Sequence, residues 1–83
     1  MGRVKVYKFF VRNLPWTVNT KEVKKYFSKF GQVSEAVVVF DHNTGFSKSY
    51  GFVYVIGDEM RTKVINETHT LEGKQLAVIE SER

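Results

Sequence analysis

The stretch Lys48-Ser49-Tyr50-Gly51-Phe52-Val53-Tyr54-Val55 constrains this chain most. Its β-branched and aromatic residues predict a strand. Successive side chains of a strand point to opposite faces. Tyr50, Phe52 and Tyr54 therefore share one face, and Gly51, Val53 and Val55 share the other. A strand that is apolar on both sides needs a cover for each. One face belongs to the core, and the other is a second core or a binding surface.

The first strand candidate, residues 4–12, poses the same problem. With Phe9 and Val11 facing the core, Lys8, Phe10 and Arg12 face the other way, a large ring between two cations. Asn13-Leu14-Pro15-Trp16 breaks the strand, because proline disfavours helix in the residue before it. Asn19-Thr20-Lys21-Glu22 is a helix start in which Asn19 can cap and Glu22 can complete a capping box. Val23, Tyr26, Phe27 and Phe30 follow as one apolar stripe. A helix is predicted over residues 20–30, with Gly31 as its stop. Its lysines, Lys21, Lys24, Lys25 and Lys29, read as a solvated face or as phosphate contacts.

Residues 33–40 predict a strand with Val33, Ala36, Val38 and Phe40 inward and a bulge near Ser34-Glu35. Asp41-His42-Asn43-Thr44-Gly45 is a loop by composition. A second helix is expected over residues 58–67, with Met60 and Val64 inward. Glu72-Gly73 is a tight turn, and the last strand runs over residues 75–80 with Leu76 and Val78 inward and Ala77 and Ile79 outward. The order is strand, helix, strand, strand, helix, strand. Two helices can cover one face of a four-stranded sheet, giving an α+β βαββαβ sandwich, ferredoxin-like, in one domain over residues 1–83. The expected core is Phe9, Val11, Val38, Val53, Val55, Leu76 and Val78 against Val23, Phe27, Phe30, Met60 and Val64. Phe10, Tyr50, Phe52 and Tyr54 are left on the open face, and an exposed aromatic patch marks a binding site.

Composition narrows what could bind there. The chain carries net charge +4. Residues 1–50 hold nine Lys/Arg against three Asp/Glu, whereas residues 51–83 hold four against six. A basic front half suits an anionic partner or serves solubility alone. The chain has no cysteine, and its two histidines, His42 and His69, are far apart, so no metal or cofactor is expected. No apolar run approaches the roughly 20 residues of a membrane span. No targeting leader is read before the first strand, and Val6 stands where a myristoylation signal requires Ser or Thr. Flat rings beside Lys8, Arg12 and Lys48 fit single-stranded nucleic acid, whose bases stack on aromatic faces while cations draw phosphate. No basic helix is placed to enter a duplex groove.

The central stretch resembles the RNP1 motif of RNA recognition motif (RRM) domains, K/R-G-F/Y-G/A-F-V-x-F/Y. Lys48, Tyr50, Gly51, Phe52 and Val53 match five of its seven specified positions. Phe9-Phe10-Val11-Arg12-Asn13-Leu14 resembles the companion RNP2 motif, and the two occur in the family's order. The resemblance implies stacking on Phe10, Tyr50 and Phe52, and a phosphate or base-edge contact from Lys48. The RNA-binding set expected from the residues and the family together is Phe10, Tyr50, Phe52, Lys48, Arg12, Lys8, Tyr54 and Asn13. The resemblance also implies an antiparallel sheet with the first strand between the last and the third. Ser49 stands where the motif has glycine, and Val55 where it has an aromatic. Val55 falls on the core face and is expected to change packing alone. Tyr54 extends the platform or covers neighbouring strands, and Trp16 packs on the rim or meets a base or protein.

N-L-P-W-T at 13–17, F-S-K-F-G-Q-V at 27–33, F-D-H-N-T-G-F at 40–46 and N-E-T-H-T-L-E-G at 66–73 are similar to the SRA stem-loop-interacting RNA-binding proteins. That likeness implies a mitochondrial setting, stabilisation of messenger RNA and a leucine-rich pentatricopeptide-repeat partner; the nucleus is the alternative compartment. A protein-interaction module on the same scaffold is the alternative function. Enzymatic activity is not expected. Arg12 and Asn13 are adjacent, not in the arrangement that acylphosphatase-like folds use, and no Ser/His/Asp or paired-carboxylate set is visible. The domain alone is expected to be a monomer.

Overall fold

The computed structural model describes residues 5–40, 43–45 and 47–81, without the side chains of Ser47 and Lys48. Strand β1 (Val6–Arg12) leads to helix α1 (Thr20–Ser28), strands β2 (Val33–Phe40) and β3 (Ser47–Ile56), helix α2 (Asp58–Asn66), and strands β4 (His69–Leu71) and β5 (Lys74–Ser81). The strands form one sheet in the order β2-β3-β1-β5-β4, and every pairing is antiparallel. β1 thus lies between β5 and β3, as the resemblance implied. The sheet has five strands rather than four. The turn at Glu72 and Gly73 explains the addition: both have positive φ, 48° and 81°, which is what a two-residue hairpin with the sheet's twist requires. His69, Thr70 and Leu71 then pair with Leu76, Gln75 and Lys74.

Helix α1 starts on the expected capping box. Asn19 Oδ1 accepts from the Glu22 N–H at 3.0 Å, and Glu22 Oε1 accepts from the Asn19 N–H at 3.3 Å. It stops sooner than expected. The N–H groups of Lys29 and Phe30 donate to the carbonyls of Tyr26 and Phe27, so the last turn tightens to i→i+3 bonding before Gly31 is reached.

The core lies between the helices and one sheet face: Phe9, Val11, Val53, Val55, Ala36, Val38 and Leu76 against Val23, Phe27, Met60 and Val64. Val78 and Phe30 are only partly buried against it. Leu14 and Val18, in the segment between β1 and α1, are fully buried, although they have no periodic pattern to announce them. Phe40 corrects the inward assignment, since it is 41% exposed. The bulge near Ser34-Glu35 is present, but a second register shift lies between Val38 and Phe40 and breaks the alternation before Phe40.

His69 is buried at 3% exposure. Its Nε2 lies 2.8 Å from the Val64 carbonyl and its Nδ1 3.1 Å from Tyr26 Oη, which in turn accepts from the Thr70 N–H. A neutral ring with the proton on Nε2 satisfies every partner: Nε2 donates to Val64 and Nδ1 accepts from Tyr26. Helix α2 is fastened at the other end of the sheet. Tyr7 Oη donates to Asp58, and Arg61 pairs with Glu80 at 2.8 Å. The bond to Asp58 raises the Tyr7 phenol above its ordinary pKa of 10.0, and the bond to Glu80 raises Arg61.

Candidate nucleic-acid interface

The open sheet face is set by strand registry. Phe10 on β1 stands opposite Phe52 on β3 and Ile79 on β5, and Phe52 stands opposite Val37 on β2. Val37, Phe52, Phe10 and Ile79 thus make one apolar row across four strands. Ile79 is 51% exposed, and the two phenylalanines are half-buried. Adjacent rows are amphipathic. Glu35 and Lys8 flank Tyr54 on one side of the row, and Arg12 stands between Tyr50 and Ala77 on the other.

The rings touch one another. Phe10 lies 5.3 Å from Phe52 and 5.5 Å from Tyr50, centroid to centroid, at tilted angles of 42° and 54°. Tilted aromatic pairs hold each other in place with about 0.5–1.5 kcal/mol beyond simple burial. Cations crown them: Lys8 Nζ sits 4.4 Å from the Phe52 centroid and 5.9 Å from that of Tyr54, and the Arg12 guanidinium carbon is 6.0 Å from that of Phe10. The face therefore offers flat apolar rings with positive charge at their margins.

Gly51 allows this arrangement. A Cβ built there would lie 2.1 Å from the Val37 carbonyl oxygen, so only glycine lets β2 and β3 approach beside Tyr50 and Phe52. Between Gly51 and Ser47 the register against β2 shifts. In that irregular stretch Ser49 has φ 68°, and its carbonyl accepts from the Leu14 N–H at 2.9 Å.

Seven of the eight expected site residues have described side chains. Phe10, Tyr50, Phe52, Tyr54, Lys8 and Arg12 come together on the open face. Asn13 sits at its margin, where Nδ2 donates to the Gln75 carbonyl at 2.8 Å; this strand-fastening bond has no sequence signature. The Lys48 side chain lies outside the described residues. Trp16 is 63% exposed. Ile79, expected outward, and Val37 complete the central row. Among the described residues no cluster of His, Asp or Glu could hold a metal ion.

A family model described as RNA recognition motif matches residues 9–77. The chain belongs to the RNA recognition motif family. The RRM fold also recurs in solved structures. An RNA-binding protein called PG1 is 29% identical with a TM-score of 0.83, over 93% of this chain and 96% of that one. The RNA-binding domain of Hrp1, solved in complex with RNA, is 26% identical with a TM-score of 0.83, over 92% of this chain and 46% of that one. Among curated proteins, the Bos taurus "SRA stem-loop-interacting RNA-binding protein, mitochondrial" is 36% identical over 70 residues, and its Mus musculus counterpart 34%. The matched segment is 83% of this RRM chain but 63% and 62% of those relatives. The chain thus spans less than two thirds of their length.

Proposed function

We propose that this chain binds single-stranded RNA on the open sheet face. The row Val37–Phe52–Phe10–Ile79, with Lys8 and Arg12 at its margins, is the observation that carries this reading. Bases stack on Phe10 and Phe52, Tyr50 and Tyr54 broaden the platform, and Lys8, Arg12 and Lys48 meet phosphates. Membership of an RNA-binding family and an RNA complex of a similar domain support it. A duplex buries its base faces and leaves such rings nothing to stack on. The proposed role is binding, not catalysis.

Likeness to proteins named mitochondrial supports a mitochondrial setting. There the proposed role is to hold and stabilise messenger RNA. A leucine-rich pentatricopeptide-repeat protein is the partner this likeness implies, and the helices, opposite the sheet, leave a face on which it can dock while RNA is held. One domain over residues 1–83 suffices for the RNA contact proposed.

Titration of a short single-stranded RNA into the wild type and Phe52→Ala tests the reading. Loss of one stacking ring is expected to cost about 1–3 kcal/mol. Unchanged affinity in a folded variant removes stacking. A wild type that binds no RNA at low salt, yet captures a protein partner, replaces this reading with protein interaction.

A further inference from the structure

Helix α1 carries Lys21, Lys24 and Lys25, and Lys29 follows as its C-cap in helical backbone (φ −65°, ψ −24°), so the helical spacing runs through it. All four are exposed. Lys21, Lys25 and Lys29 lie four residues apart, which sets them in one stripe with steps of about 6 Å along the helix axis. Lys24 widens the stripe on one side. The one acidic residue of the helix, Glu22, gives its carboxylate to the Asn19 N–H in the capping box. Among the described residues no carboxylate forms an ion pair with any of the four lysines.

The stripe works against its own helix. Like charges at i and i+4 repel, and Lys21 in the first turn opposes the helix dipole. A face that served solubility alone would mix the two signs, as α2 does with Asp58, Glu59, Arg61 and Lys63. The stripe also lacks what a base requires. Tyr26, the ring beside it, is surrounded by Phe27, Phe30 and His69 at centroid distances of 5.0 to 5.7 Å, and the Lys29 Nζ sits 4.5 Å from its centroid. The row of Phe10 and Phe52 lies on the other side of the sheet. What the stripe matches is a second helix. Carboxylates four residues apart on any α-helix rise by the same step of about 6 Å, so three cations meet three anions in register. Exposed charge of one sign draws such a partner from a distance and fixes its register.

We infer that the Lys21–Lys25–Lys29 stripe of α1 docks an acidic helix of a protein partner, one that bears Asp or Glu at four-residue intervals. The inference rests on the partner half of the proposed function and names the surface and the chemistry for it; the RNA half is untouched by it.

The test uses a stapled helical peptide with three glutamates at four-residue intervals, and a control of the same composition with its glutamates spread around the helix. Each is titrated at low salt into isotope-labelled wild type and into the triple variant Lys21→Glu, Lys25→Glu, Lys29→Glu, with amide shifts as the readout. With the spaced peptide, wild-type shifts are expected to concentrate on α1, and binding should weaken as salt is raised. The variant is expected to bind it about tenfold more weakly, the sum of three exposed charge pairs. A peptide with lysines in place of the glutamates is expected to bind the variant and not the wild type, a recovery that a misfolded variant could not give. Short single-stranded RNA, titrated at physiological salt where distant charges are screened, is expected to bind both proteins equally. Equal binding of the spaced and control peptides, shifts centred on the sheet, or failure of the charge swap would each overturn the inference. A loss of RNA affinity in the variant would assign the stripe to phosphates and overturn it as well. If wild type takes RNA but not the spaced peptide, this docking alone fails. If it takes the peptide but no RNA, the RNA reading fails and the docking stands.

Discussion

Gly51 shows how one side chain's absence shapes a surface. The residue is buried, and a Cβ there would collide with the Val37 carbonyl at 2.1 Å. Because the obstacle is backbone, no rotamer change relieves it, and β2 must move away from β3. Gly51→Ala is therefore expected to lose about 1–3 kcal/mol, as overpacked interiors do. In denaturant unfolding the midpoint should fall with an unchanged m-value. RNA affinity should fall as well, because Phe52 stands opposite Val37 across the displaced pair. A variant as stable as wild type would show that the close approach is not needed. Ser49 is the converse: a side chain is present where the backbone would prefer none.

Among the elements, the contact between α1 and β4 hangs on a single hydroxyl. Tyr26 Oη accepts from the Thr70 N–H and donates to His69 Nδ1, so one hydroxyl joins the helix to the added strand. Tyr26→Phe keeps the ring contacts with Phe27, Phe30 and His69 while removing both bonds. Stranding a buried polar group costs about 1–3 kcal/mol. That loss should appear in thermal unfolding, with amide exchange at Thr70 rising first; unchanged exchange there would contradict the pinning role. This element was only half legible in the sequence. Alternation marked the faces of β1 and β3, and the 3.6-residue stripe with its capping box marked α1. Those patterns rest on local chemistry. The pairing of residues 69–71 depends on a turn whose flanks are short, and the burial of His69 depends on rings from α1, distant in sequence. Leu14 and Val18 were missed for the same reason: a loop residue is buried by what the chain brings over it, and periodicity carries no record of that. At the site, strand parity put the aromatic trio and its cations on the outward face, and the family resemblance supplied the pairing of β1 with β3 that brings them together. The bond from Asn13 to Gln75 arises from the meeting of separate segments.

In the molecule as a whole, work is divided between two layers. Rings and cations face outward from one side of the sheet, and the helices close the other. The helical layer is clasped at its second end by Tyr7 with Asp58 and by Arg61 with Glu80. Tyr7 ionises above 10.0 in the folded chain, so folding favours its protonated form. Its contribution is complete below the unfolded value near 10 and fades as pH rises through the higher folded value. The stability difference between wild type and Tyr7→Phe should therefore stay level from pH 7 to 9 and shrink above pH 10. Chemical unfolding at each pH checks this, and a gap that widens above pH 10 would contradict the clasp.

The two margins of the sheet have a further consequence. β2 and β4 are its outer strands, and an outer strand invites a second chain to pair with it. β4 spans only His69–Leu71, too short to template much. β2 is longer and rich in valine, but register shifts interrupt it at both ends, and an interrupted outer strand twists away from a flat partner. A sheet that exposes apolar rings would ordinarily carry a risk of edge-to-edge aggregation. Here the exposed rings lie on a face, while the borders are short or interrupted and offer a second chain little to pair with.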